Sequence, residues 1–104
     1  MAKGDVVSGI STTAAATNLT FQPAAGVECM ITTAGSSNML TGTPEIRAGI
    51  YNGTLASYCV VQAGSAVGST FGQLRIFINN TNYLAILNEN AGSSSISYTG
   101  IQIK

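Results

Sequence analysis

Hydrophobic and polar residues alternate with a period of two over most of the chain, and this is the pattern of half-buried β-strands. Leu74, Ile76 and Ile78, for example, are separated by single residues of a different character. Because no window of a dozen residues carries the spacing of an amphipathic helix, the sequence predicts an all-β chain. We predict about eight short strands, near residues 4–11, 18–22, 26–33, 45–51, 54–62, 72–78, 83–88 and 95–103.

Clusters of Gly, Asn and Ser separate these segments, as turns do between antiparallel strands. The number and length of the strands predict an antiparallel β-sandwich of jelly-roll type. The 104 residues suffice for one domain, which we expect to span 1–104. Residues 11–17 have side chains too small to fill a core. We therefore interpret 1–17 as an extended N-terminal arm that attaches to the sheet edge of a neighbour and orders only there.

The clearest turn signal is Asn52-Gly53, a pair typical of the two-residue type I′ hairpin turn. Such a turn places Tyr51 opposite Thr54 and Arg47 opposite Tyr58, where the guanidinium would stack on the ring. The same register predicts one buried face, formed by Ile46, Ala48, Ile50, Leu55 and Cys59.

Segment 83–88 is apolar on both sides, because Leu84 and Ile86 alternate with Ala85 and Leu87. A strand of this kind lies at the centre of a sandwich or is covered by a neighbouring subunit. Since Arg75 and Phe77 also share an outward face, we expect an oligomer, with a trimer as the first choice.

Composition removes several classes of function. The chain has no His and no Trp, and its four basic and four acidic residues give zero net charge. Acid–base catalysis and metal sites usually draw on His or clustered carboxylates, and nucleic-acid binding needs a basic surface. We therefore predict a protein that is not an enzyme, has no cofactor or metal and binds no nucleic acid.

The four acids, Asp5, Glu28, Glu45 and Glu89, are spread along the chain. Only Glu28 and Glu45 could meet across strands, and a lone Glu on a strand is usually a solvated charge. A sugar-binding module stays open, because Asn, Thr and Tyr side chains suffice for carbohydrate contacts.

Two cysteines, Cys29 and Cys59, lie in alternating apolar segments. The N-terminus lacks the apolar run of an export signal, so we expect synthesis in the cytoplasm and reduced thiols. Both cysteines are predicted to be unpaired and buried. No apolar run reaches the roughly 18–20 residues of a membrane-spanning helix, so we predict no membrane contact.

Partner contacts are predicted at three places. These are the segment of small residues at 11–17, the apolar pair at the tip of the loop 34–43, and the partly apolar outward faces of strands 72–78 and 83–88. The predicted contact residues are Ser11, Thr12, Thr13, Met39, Leu40, Arg75, Phe77 and Tyr83.

Residues 79–88, Asn-Asn-Thr-Asn-Tyr-Leu-Ala-Ile-Leu-Asn, and 92–103, Gly-Ser-Ser-Ser-Ile-Ser-Tyr-Thr-Gly-Ile-Gln-Ile, resemble the ends of small all-β virion proteins of tailed bacteriophages. The opening Met-Ala-Lys-Gly-Asp is also similar to theirs. The group is that of head decoration, or cement, proteins. The resemblance implies a sandwich subunit, commonly trimeric, that binds the major capsid protein on the outer surface of the virion and staples neighbouring capsomers.

Two hypotheses follow. The first is a structural cement protein, whose contacts would spread over the N-terminal arm and one end of the sandwich. The alternative is a phage fibre or receptor-binding module for a host-surface glycan, which would gather Tyr51, Tyr58 or Tyr98 with Asn and Arg in one groove.

Overall fold

A computed structural model of the chain describes residues 2–36, 45–63, 69–71, 74–89 and 92–104. These residues form nine β-strands and no helix. The strands are β1 (Val6–Thr13), β2 (Asn18–Phe21), β3 (Cys29–Ser36), β4 (Glu45–Tyr51), β5 (Ala56–Ala63), β6 (Ser69–Phe71), β7 (Ile76–Ile78), β8 (Tyr83–Asn88) and β9 (Ser94–Gln102).

The strands form two antiparallel sheets. The first sheet has the order β1-β9-β3-β6, with β7 also pairing with β3, and the second has the order β2-β8-β4-β5. The pairs are nested along the chain: β1 joins β9, β2 joins β8, β3 joins β6 and β7, and β4 joins β5. Nested pairing of this kind arises when one long hairpin wraps around a barrel axis, and it defines a jelly roll. The predicted fold class is confirmed.

The core lies between the sheets and is built from alternate residues of the strands. Its buried apolar members are Val7, Cys29, Ile31, Ala34, Ile46, Ala48, Leu74, Ile76, Ile78, Leu84, Ile86 and Ile96. Strand β8 lies between β2 and β4, in the centre of the second sheet. This position agrees with the first of the two explanations for its apolar sequence, and cover by a neighbouring subunit stays a prediction.

The β4–β5 turn differs from the predicted two-residue turn. Tyr51 pairs with Ala56 instead of Thr54, so four residues, 52–55, form the loop. The Asn52 side-chain Oδ1 accepts hydrogen bonds from the N–H groups of Thr54 at 3.0 Å and Leu55 at 2.7 Å. This side chain satisfies the turn locally and extends it. The predicted burial of Leu55 is therefore wrong: its side chain is 71 % exposed.

A bulge further along the same pair changes the rest of the register. Ala48 pairs with Val60 and the next residue, Gly49, pairs with Tyr58, so Cys59 is the extra residue. Cys59 is exposed, which contradicts its predicted burial, whereas Cys29 is buried as predicted; both are free thiols. The predicted pair of Arg47 with Tyr58 is also wrong. Gly49 permits the bulge because a Cβ there would overlap the carbonyl oxygen of Ser57.

The N-terminal segment is part of the first sheet. Val6–Thr13 pairs with β9 over its whole length, and Val7 and Thr13 are buried. The prediction of an arm that contributes little to the core and orders only on a partner therefore fails for this strand. Val7 and Thr13 point inward between exposed residues, and Val7 joins the core. Its role in attachment stays a prediction.

Burial makes stability sensitive to alkaline pH. Burial raises the pKa of the Cys29 thiol, and burial together with the neighbouring Cys29 raises the pKa of the Tyr98 hydroxyl. An acid with a raised pKa in the folded state holds its proton more tightly there than in the unfolded chain. This stabilisation is complete below the ordinary thiol pKa of about 8.5 and is lost as pH rises through the folded-state values.

We therefore expect the urea midpoint to fall between pH 8 and pH 11. The Cys29→Ala and Tyr98→Phe variants should each reduce this fall, although both begin at lower stability. Circular dichroism during urea titration measures the midpoints. A wild-type midpoint that is unchanged across this range would contradict the prediction.

Candidate binding surfaces

A row of four apolar side chains crosses the outer face of the first sheet. Val6 of β1 pairs with Ile101 of β9, Ile101 pairs with Met30 of β3, and Met30 pairs with Phe77 of β7. Because directly opposite residues in a sheet point to the same side, all four side chains share one face. We call these four residues the apolar row.

Three members of the apolar row are exposed, and the fourth, Met30, is half-buried. Val6 is 71 %, Phe77 60 % and Ile101 38 % exposed, and Ile10, two residue pairs from Val6 on the same face, is 74 % exposed. Among the described residues the remaining large exposed apolar side chain is Leu55, in the β4–β5 turn. Exposed apolar residues are normal when scattered, but four on one face make that face a candidate binding surface.

Hydroxyl groups occupy the middle of this face. Ser8, Thr99 and Thr33 form the next row across β1, β9 and β3. They lie in a shallow depression of about 600 Å³ that Ile10 and Ser97 also line. These strands carry no charged side chain on their outer side, so the face offers apolar contact and neutral hydrogen bonding.

Aromatic residues gather on the outer face of the second sheet. Tyr51 and Tyr83 are cross-strand partners, and their rings meet edge to face with centroids 5.6 Å apart. The Tyr58 hydroxyl donates a 2.8 Å hydrogen bond to Asn18 Oδ1. That bond joins the two edge strands of the sheet, so the Tyr58 side chain has to cross the row of small residues, Gly49 and Ala85, between them. We call Tyr51, Tyr58 and Tyr83 the tyrosine face.

An ion pair between Arg47 Nε and Glu89 Oε1, at 3.5 Å, lies on this second face and is partly exposed. Tyr98 lies elsewhere: its ring stacks on Phe21 between the sheets, with centroids 5.2 Å apart, and covers Gly9. Two of the three tyrosines named for a glycan site are therefore on one face with Asn18 and Arg47, and the third is internal.

The predicted contact residues lie on separate parts of the molecule. Ser11 and Thr12 are exposed near the end of β1, whereas Thr13 is buried and its carbonyl accepts a hydrogen bond from Asn88. Arg75 and Phe77 are exposed at the opposite end of the first sheet. Tyr83 is half-buried on the tyrosine face. The predicted contacts Met39 and Leu40 lie outside the described residues.

Sequence reasoning missed the other members of the apolar row, Val6, Met30 and Ile101. One signal in the sequence could have found them: apolar residues at consecutive positions, such as Val6 next to Val7. Neighbouring side chains on a strand point to opposite faces, so one of the two must face outward. Their alignment across four strands depends on long-range register, which local pattern does not contain.

The described residues lack the features of two other kinds of site. They contain no group of three or more His, Cys, Asp or Glu side chains placed to hold a metal ion. Within the same residues no helix has the length and hydrophobicity to cross a membrane.

Comparison with known proteins gives weak structural likenesses and no sequence match. No protein-family model matches the chain, and no curated protein matches it in sequence. One similar solved chain comes from a study of Bacillus endospore appendages, which form a family of disulfide-linked pili. The two chains are 16 % identical, the alignment covers 96 % of this chain and 91 % of the other, and the TM-score is 0.37.

Proposed function

We propose that this chain is a structural virion protein that decorates a bacteriophage capsid and stabilises it by binding between capsomers as an oligomer. The apolar row is the observation that supports the proposal, together with the sequence resemblance to decoration proteins. Phe77 is the anchor, because it is the largest side chain of the row and is 60 % exposed. Two charged residues border this anchor: Arg75 is exposed two positions before it, and Glu28 lines a depression together with Phe77. The other members of the row are apolar: Val6, Met30 and Ile101.

Burial of apolar surface is the main source of binding energy for such a site. Each Å² of apolar surface removed from water contributes about 25 cal/mol, before the cost of association is subtracted. A protein that binds the assembled shell and not the free capsomers stabilises the shell by mass action. Many copies on a symmetric lattice then add their separate contributions.

Phe77→Ser is expected to weaken capsid binding at least tenfold, since central aromatic side chains dominate the binding energy of interfaces. Strand β7 should persist, because Ile76 and Ile78 carry its inward contacts. Sedimentation with capsids of a phage that lacks this gene measures the loss. Leu55→Ser is the matched control, since Leu55 is as exposed as Val6 but lies off the apolar row. Equal binding by the two variants would exclude the apolar row as the docking surface.

The second candidate function is a fibre or receptor-binding module for a host glycan. It is supported by the tyrosine face, where Tyr51 and Tyr58 lie with Asn18 and Arg47 on one surface. Aromatic rings and amide groups are the usual partners of sugar rings. Sedimentation with bacterial envelopes tests it: binding that is lost in Tyr58→Ala and retained in Phe77→Ser would favour this candidate over capsid decoration.

A further inference from the structure

The structure assigns strand β1 as a self-association edge: we infer that β1 of one copy pairs antiparallel with β1 of a second copy, about a two-fold axis at Ser8. The first sheets of the two copies would then join into one continuous sheet.

The other sheet edges carry features that discourage pairing with another chain. Strand β2 has four residues and is followed by Pro23, β5 is bulged at Cys59, and β6 and β7 have three residues each. Short strands, prolines and bulges are the devices by which proteins protect their edges. Strand β1 has eight residues in unbroken register with β9, and it contains neither a proline nor a charged residue.

The free side of β1 presents a regular set of backbone groups. Gln102 N–H donates to the Asp5 carbonyl at 2.9 Å, so this carbonyl points towards β9. Direction alternates along a strand, and the groups of Val6, Ser8, Ile10 and Thr12 therefore point away from β9. In the part of the chain that the structure describes, β1 pairs with β9 alone. An added antiparallel strand could use all of these donors and acceptors.

The side chains of β1 are complementary to themselves in one register. With Ser8 opposite Ser8 of the second copy, Val6 faces Ile10 and Ile10 faces Val6 on the outer side of the sheet. These two side chains are 71 % and 74 % exposed in the single chain, and apolar cross-strand pairs stabilise a sheet. The three pairs, Val6 with Ile10, Ser8 with Ser8 and Ile10 with Val6, consist of residues whose backbone groups point away from β9. Each pair can therefore exchange two backbone hydrogen bonds. No like charges meet, because the strand is uncharged.

The inference deepens the oligomeric part of the proposed function and replaces the trimer with a two-fold dimer. The apolar row would continue across the dimer, from Phe77 through Val6 to Ile10 of the second copy. Phe77 lies at the far side of the sheet from β1. Loss of the dimer and loss of capsid docking are therefore measured by different variants.

Sedimentation equilibrium of the full chain tests the assembly. We expect twice the 10.6 kDa chain mass for the wild type and for Phe77→Ser. Ser8→Lys should give the monomer mass, because it places two like charges on the axis while its side chain is exposed in the single chain. Thr20→Lys is the matched control on the edge strand β2, where Thr20 is also exposed, and it should stay dimeric. A wild-type monomer or trimer, or a dimeric Ser8→Lys, would overturn the inference.

Crosslinking tests the register through the formation of a covalent dimer, and not through the loss of the dimer in a variant. Opposite residues in a hydrogen-bonded antiparallel pair have Cα atoms about 5.5 Å apart, within the range of a disulfide. Ser8→Cys combined with Cys59→Ser should therefore form a covalent dimer on mild oxidation. Thr12→Cys in the same background should not, since two copies of residue 12 would be about 26 Å apart along the strands. Equal crosslinking of the two variants, or none at Ser8→Cys, would contradict the Ser8 axis.

Discussion

Gly100→Ala is expected to lower the free energy of unfolding by about 3 kcal/mol or more, through a backbone overlap that side-chain movement cannot relieve. Gly100 lies in β9 opposite Ile31 of β3, next to a register shift between Ile31 and Thr33. A Cβ at this position would overlap the carbonyl oxygen of Met30 and lie 2.8 Å from the Cα atom of Ile31. The two central strands of the first sheet would have to separate.

Urea denaturation followed by circular dichroism measures the effect. Thr99→Ala is the control on the adjacent residue, whose side chain is exposed, and it should change stability by less than about 0.5 kcal/mol. Gly9→Ala is a second comparison: its Cβ would meet the ring of Tyr98, a side chain that is able to shift. We expect Gly9→Ala to cost less than Gly100→Ala. The reverse order would show that the β3–β9 approach is not the tightest contact of the sheet.

Asn88→Leu is expected to cost about 3 kcal/mol, although Leu has a similar size and is apolar. Asn88 is fully buried at the end of β8. Its Nδ2 donates to the carbonyls of Thr13 at 2.8 Å and Gly92 at 3.0 Å. The Asn88 backbone also bonds to the β1–β2 connection. Its carbonyl accepts a hydrogen bond from Ala16 N–H, and its N–H donates to the Thr17 carbonyl. The amide therefore holds three chain segments, and its loss leaves two carbonyls without this donor.

Thermal unfolding gives the readout, with Asn82→Leu as the control because Asn82 is exposed in the β7–β8 turn. The control should change the free energy of unfolding by less than about 0.5 kcal/mol. If Asn88→Leu is as stable as the wild type, apolar packing at this site compensates for the lost hydrogen bonds. The amide would then not be a necessary link between the segments.

The local pattern was enough to predict most of the strands and the class of fold. Period-two alternation depends on each residue and its immediate neighbours, so the inward position of Leu74, Ile76 and Ile78 follows from it. Strand β6, with three residues, was missed because so short a segment shows no periodicity. Folding all of these strands into one small chain leaves few arrangements other than two packed sheets.

Tertiary structure decided the register and, with it, the surfaces. The Asn-Gly pair indicated a hairpin correctly, but the Asn52 side chain and the bulge at Cys59 moved every partner beyond the turn. The apolar row depends on the alignment of β1, β9, β3 and β7, whose residues are up to 95 positions apart, as between Val6 and Ile101. A sequence states which residues are apolar, and only long-range pairing determines which of them meet on one exposed face.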